Sequence, residues 1–81
     1  MDREFILSTI IEQVRLVVPE LRQTPCGPQD ALSDLGLDSV ERHEVLILTL
    51  EAMGLNLPLV ELHGPRNIGE LANLLYAKLA A

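Results

Sequence analysis

The sequence has few aromatic residues and few cysteines, and each shortage excludes a class of protein. Phe5 and Tyr76 are the only aromatics among 81 residues, so Leu, Ile, Val and Ala must build the core. That mixture favours helices over a sandwich of strands. Cys26 is the single cysteine, which excludes an intramolecular disulfide or a cysteine-based metal cluster and favours a reducing compartment.

Positive charge is also scarce. Six Lys and Arg residues against twelve Asp and Glu give a formal net charge of −6 at pH 7. Proteins that bind nucleic acids use Lys and Arg to neutralise phosphates, so we expect no nucleic-acid partner. A basic protein partner fits this charge, although many soluble domains use net charge only to stay dispersed.

Long apolar runs are missing too. No apolar run reaches the roughly 18 residues that a membrane-spanning helix needs. Asp2, Arg3 and Glu4 open the chain where a signal peptide would begin its apolar segment. We therefore expect a cytoplasmic protein with no membrane contact, a monomer with one domain over 1–81. A chain of this length has little room for a buried catalytic cleft.

Helical periodicity begins close to the N-terminus. Apolar residues recur at spacings of three and four across 5–18, with Asp2 as the predicted cap and Pro19 at the predicted end. The stretch 20–37 is rich in Pro, Gly and polar residues and is predicted to be a long loop. Such a loop is unusual in a compact domain unless it is pinned or functional, so we expect inward-facing leucines to anchor it. These are Leu21, Leu32, Leu35 and Leu37.

A capping box predicts the second helix. Asp38 is followed three positions later by Glu41, so the helix should start at Ser39 and run to about Met53, before Gly54. At about 100° per residue, one side of this helix is predicted to face the core. That side carries Val45, Leu46, Thr49, Ala52 and Met53.

The opposite side of the second helix mixes aliphatic side chains with carboxylates. It carries Val40, Glu44, Ile47 and Glu51. An exposed stripe of this composition suits docking to a basic and partly apolar protein surface. A solvated face with two incidental aliphatics is the alternative.

Two further helices complete the prediction. Pro58 suits the first turn of a short helix over 58–62, and Asn67 with Glu70 forms a second capping box that starts the last helix. The sequence therefore predicts an all-α fold, a small four-helix bundle with three main helices and one short helix. The apolar stripe of the last helix is Ile68, Leu71, Leu74, Leu75 and Leu79.

The most informative segment lies where the long loop enters the second helix. Gly36 permits a left-handed turn, and the flanking leucines can anchor the loop while Ser39 stays at the surface. A hydroxyl in the first turn of a helix lies beside unpaired amide donors and the positive end of the helix dipole, which favours an attached phosphate. Taken alone, Asp-Ser is an ordinary helix start. The segment reads Leu35-Gly36-Leu37-Asp38-Ser39-Val40.

This segment resembles the Gly-x-Asp-Ser-Leu attachment motif of acyl carrier proteins, and the order of elements, the length and the acidity agree with that family. The resemblance implies that a phosphopantetheinyl transferase attaches 4′-phosphopantetheine from coenzyme A to Ser39, with Asp38 as the helix cap beside it. It implies a non-catalytic carrier that holds an acyl group as a thioester on the prosthetic thiol. The expected partner-docking residues are Val40, Glu41, Arg42, Glu44, Ile47, Glu51 and Glu61.

Three stretches of the sequence indicate which subfamily of acyl carrier proteins the chain resembles. They are similar to the stand-alone donor carriers that accompany hydroxymethylglutaryl-CoA-synthase-like (HMG-CoA-synthase-like) cassettes in bacterial polyketide biosynthesis. In that subfamily an acetyl group is delivered to a β-keto intermediate, which creates a β-branch. The implied partners are the synthase-like enzyme and a ketosynthase-like decarboxylase or an acyltransferase that supplies the acetyl group. The stretches are Ser39-Val40-Glu41-Arg42, Leu57-Pro58-Leu59-Val60-Glu61-Leu62 and Asn67-Ile68-Gly69-Glu70-Leu71.

Alternatives stay open at this point. One is a carrier for fatty-acid, other polyketide or aminoacyl chemistry, and another is a non-carrier helical interaction module. A small hydrolase using Ser39 and His43 is disfavoured because no orienting group, oxyanion donors or pocket is evident. His43 and His63 lack the supporting ligands of a metal site. We expect no cationic residue and no helix start near Cys26, and therefore a spectator thiol. Arg42 is expected to pack its stem and to pair its head with Asp38 or a loop carbonyl.

Overall fold

The computed structural model describes residues 2–80, which form α-helices and 3₁₀ helices joined by turns and loops. Helix α1 is Arg3–Val17, α2 is Ser39–Met53 and α3 is Ile68–Ala80. The predicted all-α fold with three main helices is confirmed for this part of the chain. The predicted domain ends, Met1 and Ala81, lie outside the described residues. None of the helices in 2–80 combines the length and the apolarity that a membrane crossing requires.

The prediction was four helices, whereas residues 2–80 contain three α-helices and two short 3₁₀ helices. The short helix expected over 58–62 is a 3₁₀ helix at Leu59–Leu62, with Pro58 as its N-cap rather than in its first turn. A second one, Pro19–Gln23, occupies the start of the predicted long loop. Proline is tolerated at the first position of a helix because the amide it lacks has no acceptor there, so Pro19 ends α1 and begins the next helix.

Local caps set the ends of α1 and α2. Asp2 accepts a hydrogen bond from the amide of Phe5 at 2.8 Å, as predicted for the cap of α1. Gly54 ends α2 in the left-handed conformation, with φ of 67°. A left-handed residue at this position lets the last carbonyls of a helix find amide donors, and the Gly54 amide indeed donates to the carbonyl of Glu51.

The core lies where α1 packs against both α2 and α3. Ile6, Ile10 and Val14 recur every four residues along α1 and are fully buried. This spacing places them on one helix face, which is the face that leaves water on folding. The buried apolar cluster is Ile6, Leu7, Ile10, Val14, Leu37, Val45, Leu50, Met53, Leu62, Ile68, Leu71, Ala72 and Leu75.

The connection between α1 and α2 is anchored as predicted. Leu37 is buried, and Leu21, Leu32 and Leu35 pack against the core. The structure adds backbone bonds that the sequence pattern does not reveal. The amide of Ile68 donates to the carbonyl of Asp30 at 2.9 Å, and the amide of Gly69 donates to that of Pro28 at 2.7 Å. Loop carbonyls thereby accept from amides of the first turn of α3 that have no partner within their own helix.

Two expectations about side chains were wrong. On α2 the buried residues include Leu50, whereas Ala52 is exposed, so the core side is rotated towards Leu50. The predicted capping box of α3 is only half formed. Asn67 accepts from the amide of Glu70 at 2.8 Å, but the Glu70 carboxylate accepts from the amide of Arg66 instead of that of Asn67. The apolar stripe of α3 is buried at Ile68, Leu71 and Leu75, partly buried at Leu74 and exposed at Leu79.

Candidate functional site

Ser39 is the first residue of α2 and is exposed to solvent. The predicted capping box around it is confirmed. Asp38 Oδ1 accepts from the amide of Glu41 at 2.8 Å, and Glu41 Oε1 accepts from the amide of Asp38 at 3.0 Å. Because these two bonds fix where the helix begins, they also fix the position of the serine at its surface.

The chain entering Ser39 is held by a turn and by an arginine. Gly36 has φ of 93°, a conformation that residues with a side chain rarely adopt. Leu37, the next residue, is 3% exposed and belongs to the core. Its carbonyl accepts a hydrogen bond from Arg42 Nη1 at 2.9 Å. The expected pairing of the arginine head with a loop carbonyl is therefore confirmed. The bond connects α2 to the loop that precedes it.

The first turn of α2 can hold a phosphate on the Ser39 hydroxyl. Within residues 2–80 the amides of Ser39 and Val40 have no intramolecular acceptor, whereas the amide of Glu41 is taken by Asp38. The two free amides lie at the positive end of the helix dipole and can donate to phosphate oxygens. The carboxylates of Asp38 and Glu41 oppose an added negative charge, so the free amides and the dipole must offset that repulsion.

The predicted outward stripe of α2 faces solvent. Val40 is 72% exposed, and Ile47, Glu44 and Glu51 are exposed as well. In the described part of the chain no hydrogen bond or ion pair engages the carboxylates of Glu44 and Glu51. These four residues, which we name the α2 stripe, are therefore free to contact another protein.

The second 3₁₀ helix adds an apolar residue to the surface beside α2. Val60 is 70% exposed, and its helix packs against α2. Val60 is not among the predicted docking residues because Leu59, Val60 and Leu62 are all apolar. A pattern of this kind does not show which of the three faces outward, so only the packing against α2 identifies it.

Three of the predicted docking residues have partners within the chain. Glu41 completes the capping box and Arg42 binds the carbonyl of Leu37. Glu61 Oε1 accepts from Lys78 Nζ at 2.5 Å, which joins the second 3₁₀ helix to the last turn of α3. The structure thus separates the seven predicted residues into four with free side chains and three that hold the surrounding backbone in place.

An open groove of about 420 Å³ begins one helical turn beyond Ser39. It is missing from the sequence prediction because four separate segments form it: the loop before α2, α2 itself, the second 3₁₀ helix with the turn after it, and the start of α3. Arg42, His63 and Arg66 give it cationic and polar groups. Its apolar lining includes Leu32, Leu46, Leu62, Ile68 and Leu71.

Three further candidates are a pair of Ser39 with His43, a metal site and the Cys26 thiol. Ser39 and His43 are both exposed, and no hydrogen bond joins them in the described structure. Residues 2–80 contain no group of three His, Cys, Asp or Glu side chains arranged to hold a metal ion. Cys26 is half-buried and shares a cavity with Arg15 and Arg22. The expectation that no cation lies near this thiol was wrong, because the loop folds back against α1.

The fold and the site together define a small acidic helical protein in which an exposed serine begins the second main helix. No protein-family model matches the chain. The chain is 43% identical over 79 residues to the polyketide biosynthesis acyl-carrier-protein AcpK of Bacillus subtilis (strain 168), and the match covers 98% of this chain and 96% of that protein. The chain therefore belongs to the acyl carrier proteins of polyketide biosynthesis.

A solved structure gives the same result. The chain matches one chain in the crystal structure of the curacin biosynthetic pathway HMG synthase in complex with acetyl donor-ACP, with a TM-score of 0.91 and 44% sequence identity. The match covers 95% of this chain and 99% of that chain. The similar Bacillus subtilis protein is an acyl carrier, a carrier rather than a catalyst, which agrees with the carrier prediction.

Proposed function

We propose that this protein carries an acetyl group and donates it to an HMG-CoA-synthase-like enzyme that builds a β-branch on a polyketide. The observation that carries this proposal is the 44% identity and the TM-score of 0.91 to a chain of an HMG synthase complex with acetyl donor-ACP. The subfamily resemblance of the three stretches around Ser39, Val60 and Asn67 supports the same assignment.

The attachment residue in this proposal is Ser39. When bound, 4′-phosphopantetheine supplies a thiol at the end of a flexible arm, on which acyl groups are held as thioesters. The Ser39 hydroxyl provides the oxygen for attachment by a phosphopantetheinyl transferase. The cap formed by Asp38 and Glu41 keeps that hydroxyl in the first turn. The free amides of Ser39 and Val40 would donate to the phosphate oxygens of the bound group.

The docking surface in this proposal is the α2 stripe together with Val60. Two free carboxylates, Glu44 and Glu51, offer ion pairs to a basic partner, while Val40, Ile47 and Val60 offer aliphatic contacts. Charged groups at the edge of such a surface steer association, and apolar groups at its centre supply affinity when they are buried. The matching partner surface is basic with a central apolar pocket.

The remaining partners follow from the acetyl-donor role. A ketosynthase-like decarboxylase or an acyltransferase would supply the acetyl group, and the carrier would act as a cytoplasmic monomer. All these enzymes meet the same prosthetic group, so discrimination between carriers must come from the protein surface around Ser39.

The decisive experiment compares donors. The holo protein is acetylated and mixed with an HMG-CoA-synthase-like enzyme, and the appearance of acetyl-enzyme is followed by intact mass spectrometry. An acetylated fatty-acid-type carrier serves as the matched control. We expect transfer from this protein to exceed transfer from the control by more than about tenfold in kcat/KM, which corresponds to about 1.4 kcal/mol of discrimination. Equal transfer from both carriers would leave only the general polyketide carrier assignment.

A further inference from the structure

The second 3₁₀ helix depends on contacts from elsewhere in the fold. It has four residues, and its N-cap, Pro58, makes no side-chain capping bond. The amide of Glu61 donates to the carbonyl of Pro58 at 3.0 Å. Short 3₁₀ helices have poor hydrogen-bond geometry and add little stability of their own. The position of Val60 is therefore decided by what holds its neighbours.

Side chains from three of the four residues hold this helix, and the first of them, Leu59, packs against the core. Leu62 is 4% exposed and belongs to the core. Glu61 forms an ion pair with Lys78, which is 17 residues away in the sequence and lies in the last turn of α3. The side chains of Glu61 and Lys78 are only 37% and 34% exposed, so this ion pair is more shielded than a fully solvated one. Lys78 is also the only lysine of the chain.

We propose that Lys78 is a positioning residue for partner docking. Its ion pair with Glu61 fixes the second 3₁₀ helix against the bundle and so presents Val60 beside the α2 stripe. Glu61 acts through this pair and not by direct contact with basic side chains of the partner. This inference rests on the proposed function, because it assumes that α2 and the second 3₁₀ helix form the docking surface.

The variant Lys78→Met separates the two possible roles of Glu61. It keeps the Glu61 carboxylate and removes the ion pair. If Glu61 acts through Lys78, the amide of Glu61 should exchange with solvent faster, and the KM for the carrier in acetyl transfer should rise about two- to fivefold at unchanged kcat. These factors are what an exposed ion pair can supply. Arg22→Met is the matched control, because Arg22 is an exposed cation on the other 3₁₀ helix.

A charge swap provides the second test. Glu61→Lys alone should raise KM and speed amide exchange, and the double variant Glu61→Lys, Lys78→Glu should restore both, because it re-forms the pair at the same net charge. The proposal is overturned if Lys78→Met leaves KM and exchange as in the wild type. It is equally overturned if the double variant restores the amide protection but its KM stays as high as that of Glu61→Lys. KM would then depend on the charge at position 61 and not on the ion pair.

These outcomes are distinct from failure of the proposed function. If the wild-type protein does not donate acetyl to the synthase-like enzyme, the donor assignment fails. Amide exchange and unfolding of the same variants are measured without any partner. If the wild type donates acetyl but the KM and amide exchange of the variants differ from those expected, only the positioning role of Lys78 is refuted and the donor assignment stands.

Discussion

Arg42 and Leu37 are joined by a hydrogen bond from Arg42 Nη1 to the backbone carbonyl of Leu37 at 2.9 Å, which spans the chain from Asp38 to Glu41. The guanidinium belongs to the first turns of α2, and the carbonyl belongs to the last loop residue in the core. This bond therefore holds the loop that leads into α2 against the first turns of that helix. The pairing that the sequence predicts for the head of Arg42 therefore holds the chain that leads into Ser39.

We predict that Arg42→Met lowers the free energy of unfolding by about 1–2 kcal/mol, because the aliphatic stem can still pack while the carbonyl of Leu37 loses a charged donor. Urea unfolding monitored by circular dichroism measures the change. His43→Ala, at the next and exposed position, is the control and should stay within about 0.5 kcal/mol of the wild type. Equal stability of Arg42→Met and the wild type would show that the bond contributes nothing.

We predict that Gly36→Ala destabilises the protein by about 1–2 kcal/mol through its backbone alone. An added Cβ at Gly36 meets no atom within 4 Å, so the cost comes from the φ of 93°. Gly64 is the matched control, since its Cβ also meets open space and its φ lies outside the left-handed range. Gly64→Ala should be neutral or slightly stabilising in the same unfolding experiment. Similar losses in both variants would contradict the role assigned to the turn.

We predict that a phosphopantetheinyl transferase adds one prosthetic group to the wild-type protein and none to Ser39→Ala. The helical circular dichroism of the variant should be unchanged, because the Ser39 hydroxyl makes no hydrogen bond within the described residues. Ser8→Ala, which removes an exposed serine from α1, should still be modified. Intact mass spectrometry after incubation with coenzyme A reads out each protein, and an added group on Ser39→Ala would refute the site.

We predict that Glu44→Lys and Ile47→Ala weaken acetyl transfer to a cognate enzyme and leave thermal stability nearly unchanged. Glu44 is exposed, so the charge reversal should change the free energy of unfolding by less than about 0.5 kcal/mol, and Ile47, which is 36% exposed, should lose no more than about 1 kcal/mol. The KM for the carrier should rise, more steeply at low salt for the charge reversal. Glu20→Lys gives the same charge change away from α2 and should transfer normally. Lost stability with normal transfer would mean that the faces of α2 were assigned the wrong way round.

The sequence by itself determined the features that span a few residues. Asp2 as a cap, the capping box of Asp38 and Glu41, and the end of α2 at Gly54 were all predictable because each interaction joins groups no more than one helical turn apart. The same locality made Ser39 recognisable as an exposed helix-start serine, since its position depends on its immediate neighbours.

Only the tertiary structure decided which side chains are buried and which are engaged. Apolar residues lie on more than one face of α2, so packing against α1 and its surroundings, and not periodicity, buried Leu50 and left Ala52 exposed. The pairing of Glu61 with Lys78 and the bond from Ile68 to Asp30 join residues 17 or more positions apart. Contacts at such separations leave no periodic signal in the sequence, because each depends on how whole helices and loops meet in space.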